Sequence, residues 1–180
     1  MRQFIMGGAT VSLDLKQDDN NLREWLESFV YLKSDGLHKL PPSVEHQAFE
    51  VPENLPKQRE IELLVELIEK MVEKLEFDKS TQTYKEQILV FSETKATVEQ
   101  ICELLLLKNI KNLPLHNDLK AYPKLASVFA FSTGKCPVVV STNLGSRGLD
   151  TMKVSSVIQF DFARNVVDFI HRSGRTGRMG

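Results

Sequence analysis

Ile88-Leu89-Val90-Phe91-Ser92-Glu93-Thr94 opens the most regular part of this 180-residue chain. Four apolar residues in a row, closed by small and polar ones, read as a short strand buried on both faces. Thr94–Leu107 follows as a helix. The unit then recurs, with Leu113–His116 as strand, Pro123–Ser132 as helix, Val138–Ser141 and Val154–Phe160 as strands, and Val166–Arg172 as helix. Short strands alternating with helices predict an α/β domain, a parallel sheet with helices on both faces. In such a sheet ligands gather at the carboxyl ends of the strands. Ser92–Thr94, His116–Asp118 and Ser141–Asp150 all fall there.

Upstream, Ile61, Leu64, Val65, Ile68, Met71, Val72 and Leu75 recur at 3.6-residue spacing, which predicts an amphipathic helix from Pro56 to about Leu75. Residues 76–86 read as a loop carrying two aromatics. Alternation over Val44–Val51 predicts a strand, and Lys39-Leu40-Pro41-Pro42 breaks regular structure as a linker does. Trp25, Leu26, Phe29 and Val30 are spaced for a short helix within residues 16–37, and Gln3–Thr10 reads as the tail of a strand entering a loop. No repeat or low-complexity tract interrupts the pattern.

Composition limits the function. A 42% hydrophobic content builds a core, and a net charge of −1 argues against coating a polyanion, so any such contact is local. Cys102 and Cys136 stand apart among apolar neighbours and read as small core residues in a reducing compartment. The four histidines show no ligand spacing, so no metal site is expected. No apolar run reaches membrane length, and residues 1–20 carry neither a signal core nor a basic presequence.

Charge concentrates near the end, in His171-Arg172-Ser173-Gly174-Arg175-Thr176-Gly177-Arg178-Met179-Gly180. Between Arg164 and Arg178 lie four arginines and one acid, Asp168, a local charge of +3. Guanidinium forks suit phosphate oxygens, and Gly174 and Gly177 leave room for them to converge. Their mutual repulsion makes sense if an anion sits between them.

Four segments form a set: Val90–Thr94, His116-Asn117-Asp118, Ser141–Asp150 and the arginine cluster. Together they resemble the second RecA-like domain of the DEAD-box ATP-dependent RNA helicases, over roughly residues 40–180. Gly8-Ala9-Thr10 resembles the Ser-Ala-Thr segment that ends the first domain, and His171 favours this family over relatives that begin the motif with glutamine. The implied organisation is a tail of the first RecA-like domain over 1–37, a linker over 38–43, and a second RecA-like domain over 44–180 that stops after its last motif. The expected fold is the RecA-like parallel sheet with helices on both faces.

The resemblance implies roles residue by residue. Arg175 and Arg178 correspond to arginine fingers that reach the terminal phosphate of ATP bound on the first domain, with salt bridges to nearby acids as the rival reading. Such fingers neutralise charge developing in phosphoryl transfer. Asp150 corresponds to the aspartate that accepts hydrogen bonds from the nucleotide ribose; capping a helix or binding an arginine would also suit it. Thr10, His171 and Arg172 correspond to positions that couple the two domains, with packing as an alternative for His171. Thr142, Gly145 and Arg147 correspond to contacts on the RNA sugar–phosphate backbone, which are sequence-tolerant. Thr94 either adds such a contact or caps its helix.

Departures accompany the match. Asn117 replaces a usual Gly, in a turn where its tolerance of positive φ helps. Ala121 and Lys124 stand where the family grips RNA with Gln and Arg, which weakens or rearranges that grip. Gly8 loses a Ser hydroxyl. The Gly8-Ala9-Thr10 version and the Leu37–Pro42 linker resemble mitochondrial, ribosome-assembly members, which implies the mitochondrial matrix, with cytoplasm or nucleus as alternatives, and ribosomal assembly intermediates as partners.

No GxxxxGK[ST] loop or Asp-Glu-x-Asp box occurs in the sequence. Ser132-Thr133-Gly134-Lys135 imitates the end of the former but reads as a helix end with Gly134 supplying the turn. ATP and Mg2+ are therefore expected to be held mainly by the first domain, and this chain alone is expected to lack ATPase activity. An apolar sheet edge left uncovered after Gly180 would lower its solubility. The functional expectation is the second half of an RNA helicase core. A non-enzymatic RNA-binding scaffold and a related DNA translocase are the alternatives.

Overall fold

The computed structural model describes residues 39–40, 42–143, 145–146 and 149–177. The chain divides into two compact units, Met1–Pro41 and Pro42–Gly180. The first lies almost wholly outside the described residues, so the readings of Gln3–Thr10 and 16–37 fall outside them too.

In the second unit the elements run α1 (Lys57–Val72), β1 (Phe77–Asp78), β2 (Thr83–Tyr84), β3 (Gln87–Phe91), α2 (Lys95–Leu107), β4 (Asn112–Leu115), α3 (Ala121–Ser132), β5 (Val138–Ser141), β6 (Val154–Gln159) and α4 (Val166–Ser173). Strands β3 to β6 form one sheet in the order β4-β5-β3-β6, and every pairing in it is parallel. The apolar run 88–91 is thus the centre of the sheet, flanked on both sides and buried throughout. Pro114 is admissible in β4 because that strand is an edge, with no second ladder to supply.

Each face of the sheet has its own core. On one, Ile88 and Val90 of β3 and Val138 and Val140 of β5 meet Ile61, Leu64, Val65 and Ile68 of α1 and Val98, Ile101 and Leu105 of α2. On the other, Leu89, Phe91, Leu115 and Val139 meet Phe131 of α3. Alternate side chains of one strand serve opposite layers, so a one-residue slip of β3 would exchange every partner. Each such aliphatic side chain contributes about 1.5–3 kcal/mol by leaving water.

Two buried amides tie neighbouring elements together through backbone carbonyls. Gln87 Nε2 donates to the carbonyls of Phe131 (2.9 Å) and Cys136 (2.6 Å), joining the start of β3 to the end of α3 and the approach to β5. Asn112 Nδ2 donates to Cys102 O (3.1 Å) and Ile110 O (3.0 Å). Gly134 takes φ +78° in the turn between α3 and β5, and a Cβ there would lie 2.8 Å from Tyr84 O. Cys102 and Cys136 are free and buried, and burial pushes their thiols up to about 12 and about 11.

Two local expectations are corrected. Val44–Val51 forms no strand. Phe49 and Val51 are exposed, so the alternation has no buried face and no partner ladder to stabilise it. Residues 76–86 are not a plain loop, since β1 and β2 pair antiparallel. The two aromatics of that stretch, Phe77 and Tyr84, meet across the hairpin at 4.8 Å between ring centroids, and Asp78 Oδ1 accepts from Ser80 N–H (2.8 Å) to close the turn.

Candidate functional site

A cleft of about 430 Å³ opens where β3, β4 and β5 end, lined by Ser92, Glu93, Lys95, His116, Asn117, Asp118, Thr142, Asn143, Arg164, Asp168 and Arg172. The three strand-end segments marked in the sequence therefore meet the arginine segment in one place. Parallel pairing is the cause, because it puts all four carboxyl ends on one edge. A smaller hollow of about 60 Å³ adjoins the arginine segment, lined by Phe91, Asn143, Ser146, Asp168, His171, Arg172 and Arg175.

Asp161, just past the end of β6, fixes the floor of the cleft. Its Oδ2 accepts from Ser92 Oγ–H (2.6 Å) and from Glu93 N–H (2.9 Å), and its Oδ1 accepts from Lys57 Nζ (3.0 Å). Burial alone would raise this carboxyl. The hydrogen bonds from Ser92 and Glu93 and the Lys57 ammonium outweigh burial and hold it below the usual carboxylate range.

Arg172, buried in the last turn of α4, turns its fork inward. Nε donates to Asn143 Oδ1 (2.6 Å), Nη1 to Asp161 O (2.6 Å), and the guanidinium lies 5.4 Å from the Phe91 ring centroid. Burial pulls it below its ordinary value, with the carboxylates of Asp168, Asp161 and Glu93 opposing. Arg172 thus locks α4, the β5 loop and the β6 exit into one unit. Thr176 adds a further tie, its hydroxyl reaching Val154 O (2.8 Å).

Thr142 Oγ1 accepts from Gly145 N–H (3.3 Å), and Thr142 N–H donates to Leu115 O (3.1 Å). Gly145 presses against the end of β4, where a Cβ would lie 2.1 Å from Leu115 O. Thr94 Oγ1 accepts from Thr97 N–H (3.1 Å), so Thr94 caps α2. Asp150 is exposed, and its Oδ1 accepts from Met152 N–H (3.1 Å) in a tight local turn. The turn at Asn117 forms without positive φ, which among described non-glycine residues belongs to Asn54, Gln82 and Asn109. His116 is buried beside the cleft with neither ring nitrogen hydrogen-bonded; its Nε2 stands 3.5 Å from Glu99 Oε1.

Of the residues singled out by sequence, Thr142 and Arg172 line the cleft, and His171, Arg172 and Arg175 line the small hollow. Thr94 and Gly145 support the loops beneath, and Asp150 lines neither concavity. Thr10, Arg147 and Arg178 lie outside the described residues. Sequence reasoning assigned no role to Asp161 or Asn143, and counted Arg164 only in the local charge of the arginine cluster. The signal for Asp161 was its place immediately after the strand predicted over Val154–Phe160, at that strand's carboxyl end.

Residues 61–180 match the model of the helicase conserved C-terminal domain. Over 93 residues the chain is 41% identical to the Dictyostelium discoideum protein described as "Probable ATP-dependent RNA helicase ddx41", covering 52% of this chain and 14% of that protein. Over 179 residues it is 31% identical to the ATP-dependent RNA helicase DBP2 of Chaetomium globosum, covering 99% of this chain and 30% of that one. The chain thus spans under a third of the length of these curated relatives. Among solved structures it is similar to the Mss116p DEAD-box helicase domain 2 bound to an RNA duplex, with TM-score 0.56 and 25% identity over 68% of this chain and 46% of that one. It is also similar to Saccharomyces cerevisiae Dbp5 L327V bound to RNA and ADP BeF3, with TM-score 0.55 and 27% identity over 67% of this chain and 29% of that one. The architecture they share is the RecA-like α/β fold, a parallel sheet with helices.

Proposed function

Because the chain belongs to the helicase C-terminal domains of the DEAD-box RNA helicases, we propose that it is the second half of an ATP-dependent RNA helicase core. In that role it contacts the RNA backbone and supplies arginines to ATP held on a first domain. The observation that carries the reading is the convergence of Ser92–Glu93, His116–Asp118, Thr142 and α4 on one cleft. That one neighbour is a second domain bound to an RNA duplex supports it, as does the complex of another with RNA and ADP BeF3.

The cleft is the RNA side. Thr142 offers a hydroxyl and the adjoining turns offer backbone groups, which bind phosphate and ribose without reading bases. Asp161 and Arg172 hold those loops in register, so RNA meets a preformed edge. The small hollow beside Arg175 and His171 is the nucleotide side. Its lining by His171 and Arg175 suits one wall of a nucleotide site, the other wall lying on the first domain with Mg2+. ATP held there would supply the phosphoryl group whose transfer Arg175 and Arg178 assist. Arg175, with Arg178 three residues on, would face the terminal phosphate and neutralise its developing charge. The exposed carboxylate of Asp150 keeps Oδ2 available for the ribose hydroxyls. His171, with Thr10 across the linker, would transmit closure. A mitochondrial matrix location and ribosomal assembly intermediates as clients are the finer part of the proposal, carried by Gly8–Thr10 and the Leu37–Pro42 linker.

The chain by itself is expected to hydrolyse no ATP. A longer parent carrying the first domain is expected to show RNA-stimulated hydrolysis that falls by at least about 10³-fold when Arg175 and Arg178 are both changed to alanine. Steady-state ATPase measurements with and without RNA check this. Full activity in the double variant would sink the arginine assignment, and a parent with no RNA-stimulated turnover would leave the scaffold reading in its place.

A further inference from the structure

The cleft presents an electrostatic puzzle. Among its described lining residues, the cations Lys95, Arg164 and Arg172 are matched one for one by the acids Glu93, Asp118 and Asp168. An electrically neutral groove is a poor seat for a polyanion. Arg172 cannot change this, because its fork already holds Asn143 and the Asp161 carbonyl.

The other two cations are held differently. Lys95 Nζ pairs with Asp118, both side chains more than half exposed, and Arg164 Nε pairs with Glu93 at the surface. Exposed pairs of this kind contribute only about 0–1 kcal/mol, so another anion can replace the carboxylate at little cost. Arginine gains a bidentate fit when that anion is phosphate.

Their placement follows from the sheet order. Glu93 and Lys95 flank Thr94 at the end of β3. Glu93 reaches to Arg164 beyond β6 on one side, while Lys95 reaches past β5 to Asp118 beyond β4 on the other. The two pairs therefore bracket the whole carboxyl edge, with Thr142 between them. Three inter-strand spacings make this about 14 Å, room for more than one backbone phosphate.

We propose that Lys95 and Arg164 are further phosphate-contacting residues of this cleft, and that Glu93 and Asp118 are carboxylate latches holding them until RNA phosphates displace the acids. The inference rests on the RNA reading above. Its consequence is a built-in threshold: RNA must exchange two ion pairs before both cations bind it, which disfavours weak or partial encounters.

Equilibrium binding of an end-labelled short RNA duplex to the 180-residue chain, measured by anisotropy at several salt concentrations, tests the latch. Glu93→Gln and Asp118→Asn are expected to bind about 3–10-fold tighter each, since each removes one competing charge. Lys95→Ala and Arg164→Ala are expected to bind more weakly, each lowering the slope of log K against log salt by about 0.7–0.9. Lys95→Arg should keep the slope. All five variants alter exposed side chains, at four positions, and circular dichroism melts confirm that each variant folds. Acid variants that bind no tighter, together with unchanged slopes in Lys95→Ala and Arg164→Ala, would overturn the latch while leaving RNA binding intact. An unaltered chain that does not bind the duplex would overturn the RNA reading and this inference with it.

Discussion

Gly145 shows how much one missing side chain can decide. Sequence reading took it as bare backbone suited to a phosphate. The structure adds a second demand on the same atom, since a Cβ would sit 2.1 Å from Leu115 O and 2.7 Å from Leu115 C. Backbone cannot yield as a flexible side chain can. Gly145→Ala is expected to push β4 and the Thr142 loop apart and to cost about 1–3 kcal/mol, read as a lower urea midpoint. An unchanged midpoint would show that the loop has room there. Arg172 makes the complementary case. In sequence it is one of four clustered arginines, assigned to domain coupling while Arg175 and Arg178 take the finger roles. In the fold it alone among the described ones is buried, and it acts as an internal strut.

At the scale of the element, α3 departs from its neighbours. Its inner side seats Phe131 in the core, whereas Tyr122 (84% exposed), Leu125 (70%) and Phe129 (60%) line its outer side. These lie at i, i+3 and i+7, one apolar stripe facing water. No acid occurs between Leu119 and Leu149, so charge repulsion from acidic neighbours does not guard the stripe. Leu125→Glu combined with Phe129→Lys is expected to reduce concentration-dependent association in sedimentation velocity, with stability shifted by no more than about 0.5 kcal/mol. Association unaffected by the pair would clear α3 and turn attention to the edges, β4 and β6. The periodic elements were legible from sequence because burial imposes period. The β1–β2 hairpin was not, since two-residue strands are too short to show one.

For the molecule as a whole, Asp161 gathers α1, the exit of β3 and the exit of β6 at one carboxylate. Its native carboxyl titrates below the usual range, while in the unfolded chain it takes an ordinary value of about 3.9. The stability it contributes is therefore complete above that ordinary value and is lost as pH falls through the depressed native one. Asp161→Asn is expected to lower stability at pH 7 by about 1–3 kcal/mol. The gap between variant and parent should close as pH falls below about 4, measured by urea midpoints at each pH. Other depressed carboxyls, such as Asp118 and Asp78, remain in both proteins and cancel in the comparison. A gap constant from pH 7 to pH 3 would exclude the carboxylate as the cause.

Sequence alone determined the central strand, its flanking helices and the chemistry-bearing segments at the strand ends, because apolar periodicity and strand-then-turn spacing are local properties of a chain. The division of those segments into ATP-phosphate and RNA-backbone contacts came from the family resemblance rather than from periodicity or spacing. Only the tertiary structure decided which cations face outward and which are consumed within. Strand order set that outcome: with β3 between β5 and β6, the Glu93–Lys95 turn can reach acids and bases more than twenty residues away on either side. Charge pairing across a sheet depends on distances in space, and no linear pattern of residues encodes them.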